Sequence, residues 1–156
     1  MSALHRVTRR YVQHLAAPPE RVMPLLTAAR ENEWAAVFQP RILHAGEPPG
    51  GLRGVFTTGE GAEETLWTMT AFDSEAGHVA YFRTIPGVLA VHIEIHLAAD
   101  GPGACRATVA YTYSALGPAG NERVEAMTEE RYVTQMVEWE RALNHYLQTG
   151  QQLGNY

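Results

Sequence analysis

The run Tyr132-Val133-Thr134-Gln135-Met136-Val137-Glu138-Trp139-Glu140-Arg141-Ala142-Leu143-Asn144-His145-Tyr146 decides how the chain is read. Tyr132, Met136, Trp139, Leu143 and Tyr146 recur at steps of four, three, four and three, one stripe of an α-helix. Glu129, Glu130, Glu138, Arg141 and Asn144 supply a wet side. The pattern predicts one helix from about Asn121 to Gln148, with Asn121 as N-cap, Glu122 and Glu125 at the positive end of the dipole and Gly150 closing the far end. Such a helix would run roughly 40 Å, too long for a short partner to cover its apolar stripe, so it needs a sheet beneath it.

The preceding hundred residues supply that sheet. Val7 to Leu15 reads as a first strand, and Ala16-Ala17-Pro18-Pro19-Glu20 stops it and opens a helix carrying Val22, Leu25 and Leu26. Pro24 keeps that helix short, and a second short helix over Ala28 to Trp34 completes an elbow. Strands are expected at Phe38 to His44, Leu52 to Thr58, Thr65 to Asp73, Val79 to Ile85, Val88 to Leu97 and Arg106 to Ala115. The loop Gly46 to Gly51 has too many glycines and prolines for either regular element. Pro86-Gly87 and Asp100-Gly101-Pro102-Gly103 are tight turns.

The clearest alternation is Leu89, Val91, Ile93, Ile95 and Leu97 on one side against His92, Glu94 and His96 on the other. This is an antiparallel sheet with one covered and one wet face. The fold class is α+β: about seven antiparallel strands, short helices after strand 1, and a long C-terminal helix in a single domain spanning residues 1–156. A curved sheet wrapped around one helix need not close completely, and a cavity then remains.

Composition limits the function. The formal charge of -5 is scattered, and the twelve basic side chains, all arginine, form no cluster, so a nucleic-acid partner is not expected. The absence of lysine removes Schiff-base chemistry. The single Cys105 reads as a buried, idle thiol. No leader pattern and no membrane span are visible, which predicts a soluble, cytoplasmic protein.

The chain resembles the START-like helix-grip superfamily, also called SRPBCC, and within it the polyketide cyclase/dehydrase-type members. The resemblance is carried by Ala17-Pro18-Pro19-Glu20-Arg21-Val22, by Glu33-Trp34, by the strand ladder from Arg41 to Ala115, and by Trp139-Glu140-Arg141-Ala142-Leu143. It implies a deep, mostly apolar cavity between sheet and helix for lipids, sterols, polyketides or other hydrophobic molecules. It does not imply one chemistry, since members include carriers, sensors, cyclases, hydrolases and co-chaperones.

Candidate cavity residues are the large side chains of the inner surfaces: Trp34, Phe38, Trp67, Met69, Tyr81, Tyr111, Tyr113, Met136 and Trp139. The bland alternative is that they pack only against one another. Arg83, on the Tyr81 side of its strand, would be partly buried there and would need a carboxylate or a ligand oxygen; in the similar cyclases an interior arginine positions a polyketide oxygen. An exposed or structurally paired arginine is the alternative. His92, Glu94 and His96 share a strand face, but the two imidazoles lie roughly 13 Å apart along it, too far for one zinc, so neither metal nor cofactor is expected. Gly59 to Glu64 could serve as a lip over the cavity mouth.

Three functions follow: binding of a hydrophobic small molecule between sheet and helix, a polyketide cyclase or aromatase using the same cavity, or a protein-interaction module with a filled core, for instance a homodimer through an exposed strand face.

Overall fold

The computed structural model describes residues 3–47, 51–154 and 156. Seven strands form one antiparallel sheet in the order β1-β7-β6-β5-β4-β3-β2. They are β1 Arg6–Leu15, β2 Arg41–His44, β3 Val55–Thr58, β4 Thr65–Asp73, β5 His78–Ile85, β6 Leu89–Ala99 and β7 Cys105–Ala115. Helix α1, Pro19–Val22, follows β1 and leads into 3-10 turns at Met23–Leu26 and Glu31–Glu33. Pro24 sits inside the first of these turns, and Thr27 leaves it extended. The proline therefore shortens the elbow as its missing amide requires.

The long C-terminal helix predicted over Asn121 to Gln148 is two helices, α2 Pro118–Ala126 and α3 Glu129–Thr149. Met127 leaves helical geometry, and Thr128 rather than Asn121 is the N-cap, its Oγ1 accepting from the Arg131 amide at 3.2 Å. Arg9 Nε donates to the Met127 carbonyl released by the break. Asn121 instead holds the N-terminal segment, accepting from the His5 amide and donating to the Ala3 carbonyl. Gly150 closes α3 in the left-handed conformation, as expected. At 21 residues α3 spans about 31 Å.

The starts of two strands shift by three residues, and other strand ends by one or two. Phe38 and Gln39 precede β2 as irregular chain, and Leu52 makes only an isolated bridge to Glu47 before β3 starts at Val55. The three central residues of the Gly46 to Gly51 loop, 48–50, lie outside the described residues.

The stripe on α3 faces the sheet: Tyr132, Met136, Trp139 and Leu143 are buried in one core with Val91, Ile93, Val109 and Tyr113, and Leu147 takes the buried place expected for Tyr146, which is half-buried. Tyr132 donates from its hydroxyl to the Val109 carbonyl at 2.8 Å, and Gln13, itself buried, donates to the Met136 carbonyl. The helix also covers the free edge of β1. Glu140 accepts from the His14 amide, while Asn144 accepts from the Ala16 amide and donates to the His14 carbonyl. Edge groups left bare would template unwanted pairing, so these two polar residues serve the sheet rather than solvent.

Helix α2 rests on the turn between β5 and β6. Pro86 and Gly87, the latter at φ +78°, reverse the chain there. At Gly120 a Cβ would meet the Val88 carbonyl oxygen at 1.8 Å, so only glycine permits this approach.

The cavity between sheet and helix

A cavity of about 310 Å³ separates the inner face of the sheet from α3. Trp67, Arg83 and Tyr111 reach it from β4, β5 and β7, Met136 and Trp139 from α3, and Glu31 and Tyr156 from the elbow and the C-terminal segment, while Gln135 and the exposed Glu138 of α3 line its solvent side. Its volume is about twice that of the ~150 Å³ apolar cavity known to hold benzene, which makes it the size of a two-ring guest.

The tryptophan wall is rigid. Trp67 donates from Nε1 to Thr58 Oγ1 at 2.9 Å and stacks on Phe56, with centroids 5.4 Å apart and planes 15° from parallel. Tyr81 and Phe38 meet it edge-on. Trp67 and Arg83 are direct partners across the β4–β5 register, and the guanidinium carbon stands 5.4 Å from the indole centroid. That is a cation-π contact.

Arg83 is the least satisfied group in the cavity. Its Nε is buried and has no hydrogen-bond partner, and it makes no ion pair with a described carboxylate. The Trp139 indole nitrogen is likewise buried and unpartnered. Each such orphan costs roughly 1–3 kcal/mol unless an acceptor arrives.

Glu31 is the carboxyl group on the elbow side of the cavity. The 3-10 turn at Glu31–Glu33 separates the two carboxylates. Glu33 turns outward to Arg30 and to the Tyr146 hydroxyl, which hold its carboxyl below the usual range. Glu31 points into the cavity without an ion-pair partner among the described residues, and although it borders cavity space, the surrounding protein desolvates it and pushes its carboxyl up to about 8. At neutral pH it is mostly a neutral acid, able to donate. Burial raises the Tyr111 hydroxyl well above its ordinary value, partly opposed by the Arg83 charge, and raises Tyr113 to about 12 for the same pair of reasons.

Tyr156 lies across one end of this space. Its ring stacks on Trp34 at 6.3 Å, Trp34 stacks on Trp139 at 6.1 Å, and the Tyr156 backbone oxygen accepts from the Ala36 amide at 2.7 Å. Gln152 ties the same segment to the Asn32 carbonyl. Beyond Tyr156 and Glu31 lies a second space of about 520 Å³ lined by Ala35, Phe38, Gly59 and Glu60. Beyond Arg83 lies a third of about 340 Å³, at Tyr113, Leu89, Arg123 and Arg131.

Of the residues singled out in the sequence, the structure brings Trp67, Arg83, Tyr111, Met136 and Trp139 around one cavity. Phe38 and Tyr113 line the neighbouring spaces. Trp34, Met69 and Tyr81 stand behind the wall as packed core: Trp34 donates to the Leu25 carbonyl, Tyr81 to the Leu26 carbonyl, and Met69 is fully buried. Gly59 and Glu60 border the second space, and the adjoining Glu63 is tied to Arg123 of α2 at 2.6 Å. His92 packs against Phe82 on the outer face, level with Arg83 but on the opposite side of the sheet from the cavity. Cys105 is a free, buried thiol that burial pushes up to about 11.

Sequence reasoning missed Glu31 and Tyr156. The first left a weak signal, two carboxylates two apart beside a buried tryptophan; the second left none, because its position depends on a non-local return of the chain.

Comparison of the sequence with protein-family models and with curated proteins gives no match. Solved structures do match. Norcoclaurine synthase from Thalictrum flavum, solved in complex with dopamine and hydroxybenzaldehyde, superposes with a TM-score of 0.67 at 13% identity, over 92% of this chain and 87% of that one. Zhui aromatase/cyclase from Streptomyces sp. R1128 does so with 0.64 at 17% identity, over 96% of this chain and 100% of that one. Ara h 8.0201 gives 0.65 at 17% identity, over 93% and 99%. The chain has the START-like helix-grip fold. The helix gripped by this sheet is α3, and the cavity described above occupies the space between the two. No helix among the described residues is long and apolar enough to cross a membrane.

Proposed function

We propose that this helix-grip chain binds a flat, largely apolar small molecule of about two rings that carries a carbonyl, enolate or carboxylate oxygen. The observation that carries the reading is the buried, partnerless Nε of Arg83 above the face of Trp67. An oxygen placed there would accept a charge-assisted hydrogen bond while the guest's rings lie against Trp67, Met136 and Trp139. The Trp139 indole and the Glu31 acid offer further donors to the same guest. Native mass spectrometry of the purified chain tests this: an additional small-molecule mass that is lost in Arg83→Met supports it, and a bare chain that also takes up no aromatic carboxylate contradicts it.

One observation favours a cyclase-type reaction in the same cavity. A carboxyl group held at about 8 can both take and return a proton near neutrality, and it lies in the same cavity as a cation suited to an enolate oxygen. Glu31 would remove a proton from a carbon between two carbonyls, Arg83 would hold the resulting enolate oxygen, and Glu31 would return the proton to the alkoxide formed by ring closure. Product analysis with a poly-β-ketone thioester distinguishes the readings, since Glu31→Gln should abolish turnover and leave binding. An open, polar-equipped cavity does not favour a contact module with a filled core.

A further inference from the structure

We propose that His78, Glu94 and His96, on the outer face of the sheet, form a binding site for a late first-row divalent cation such as Zn²⁺. The site is independent of the cavity, which lies on the opposite face. His78 on β5 and His96 on β6 are direct cross-strand partners, and Glu94 lies two residues before His96 on the same face. Their imidazole rings stack in parallel, 4.4 Å apart and 3° from coplanar orientation. Both Nε2 atoms turn toward one carboxylate oxygen, Glu94 Oε2, at 2.5 Å from His78 and 3.7 Å from His96.

The second distance is too long for a hydrogen bond, so hydrogen bonding alone does not explain why both Nε2 atoms lie beside the same oxygen. One ligand atom from each residue lies within 4.8 Å of the other two. Two ligand atoms bound tetrahedrally to zinc at ~2.1 Å stand about 3.4 Å apart, so the His78–Glu94 contact would open by about an ångström and the widest pair would close by about 1.4 Å, within the reach of side-chain rotation. The backbone beneath cannot drift, because Val79, Ile95 and Leu97, the alternating neighbours, are all buried in the core. Two imidazoles and one carboxylate suit zinc, cobalt, nickel or copper and not magnesium or calcium, which want oxygen. The remaining coordination positions face water.

The surrounding charges leave the site open to a cation. Asp73, opposite His78 on β4, spends Oδ1 on the amides of Glu75 and Ala76, and Thr108 faces His96 from β7. Arg106, two residues before Thr108, and on β1 Arg10, in the row of Glu94 beyond Ala110, and His14, beside Arg106, are the basic side chains of that flank. The set was not visible along one strand, where His92 and His96 are too far apart; the register brings in His78 instead.

Isothermal titration of ZnCl₂ into the metal-stripped full chain near neutral pH tests the proposal. The expected result is one equivalent bound in the micromolar range, about ten-fold or more weaker in both His78→Gln and His96→Gln, weaker in Glu94→Gln and unchanged in His92→Gln. CoCl₂ should give visible d–d bands that the His78 variant loses, and MgCl₂ should give no saturable heat. The glutamine variants keep side-chain volume, and their circular dichroism reports whether the sheet is intact. No saturable zinc uptake, or uptake that survives loss of His78 and of His96 in folded variants, overturns the assignment.

Discussion

Arg83 and Trp67 face one another across the β4–β5 register, with the guanidinium carbon 5.4 Å from the indole centroid and one guanidinium nitrogen buried without a partner. The pair joins a flat apolar surface to a fixed positive charge at one point of a cavity that opens to solvent beside α3. Replacing the arginine by methionine keeps the stem against Trp67 and removes the orphaned Nε donor. Arg83→Met should therefore leave thermal stability unchanged or slightly higher, because the buried Nε has no protein partner to lose. It should weaken binding of 2-naphthoate by about 10–100-fold, the size of a charge-assisted hydrogen bond. All three tryptophans stand at or behind the cavity wall, so their fluorescence reads the titration. Arg83→Lys should fall between, since lysine keeps the charge and loses the planar fork.

Glu31 makes stability depend on pH in a defined direction. Its folded value, about 8, lies above the 4.5 of an ordinary glutamate, so the folded state holds the proton more tightly than the unfolded chain does. The resulting penalty is absent below about pH 4.5, grows as pH rises, and is complete above about pH 8, where it reaches roughly 4–5 kcal/mol. Glu31→Gln should remove it. Thermal melts of the two proteins should nearly coincide at pH 4.5 and separate progressively toward pH 9, with the variant the more stable; a gap that shrinks with rising pH would contradict the assignment.

Tyr156 closes the cavity on the Trp34 side and separates it from the space at Phe38. Removing the ring in Tyr156→Ala should cost about 1 kcal/mol from the lost stack and join the two spaces. The variant should then accept a three-ring guest such as anthracene-2-carboxylate, which the parent chain binds weakly; equal affinities for both proteins would show that the ring does not limit the cavity.

Thr128 starts α3, and its hydroxyl takes the Arg131 amide. Thr128→Ala should destabilise the fold by about 1 kcal/mol, a fall of roughly 2–4 °C in melting temperature. Asn121→Ala, at the cap expected from sequence, should instead loosen the His5 and Ala3 tethers, which amide exchange of the N-terminal segment would detect.

The sheet was legible wherever one face is buried and the other wet: Val91 to Leu97 alternates in the structure as it does in the sequence, while Ala90 is buried despite its outward position. The helix stripe was legible for the same reason, because Tyr132, Met136 and Trp139 must share a side. The break at Met127 was missed although Thr128-Glu129-Glu130 is itself a helix-start signature, since no glycine or proline marks the stop before it. Arg83 could be named from alternation alone, but whether it met a carboxylate or an empty space depended on side chains from three other elements. Glu31 and His78 were hidden differently. One sits in a 3-10 turn with no period to read, and the other at a strand end whose partner is fixed only by register.

The most direct test of a guest held between sheet and helix is the indole N–H resonance of Trp139 in a ¹⁵N-resolved NMR titration with 2-naphthoate. That donor is buried and unpartnered in the structure. If the guest occupies the cavity, the Trp139 signal moves saturably, with intermolecular NOEs to Trp67 and Met136, and the shift disappears in Arg83→Met. Saturable shifts confined to the outer face of the sheet, with Trp139 and Trp67 unmoved, would contradict the account.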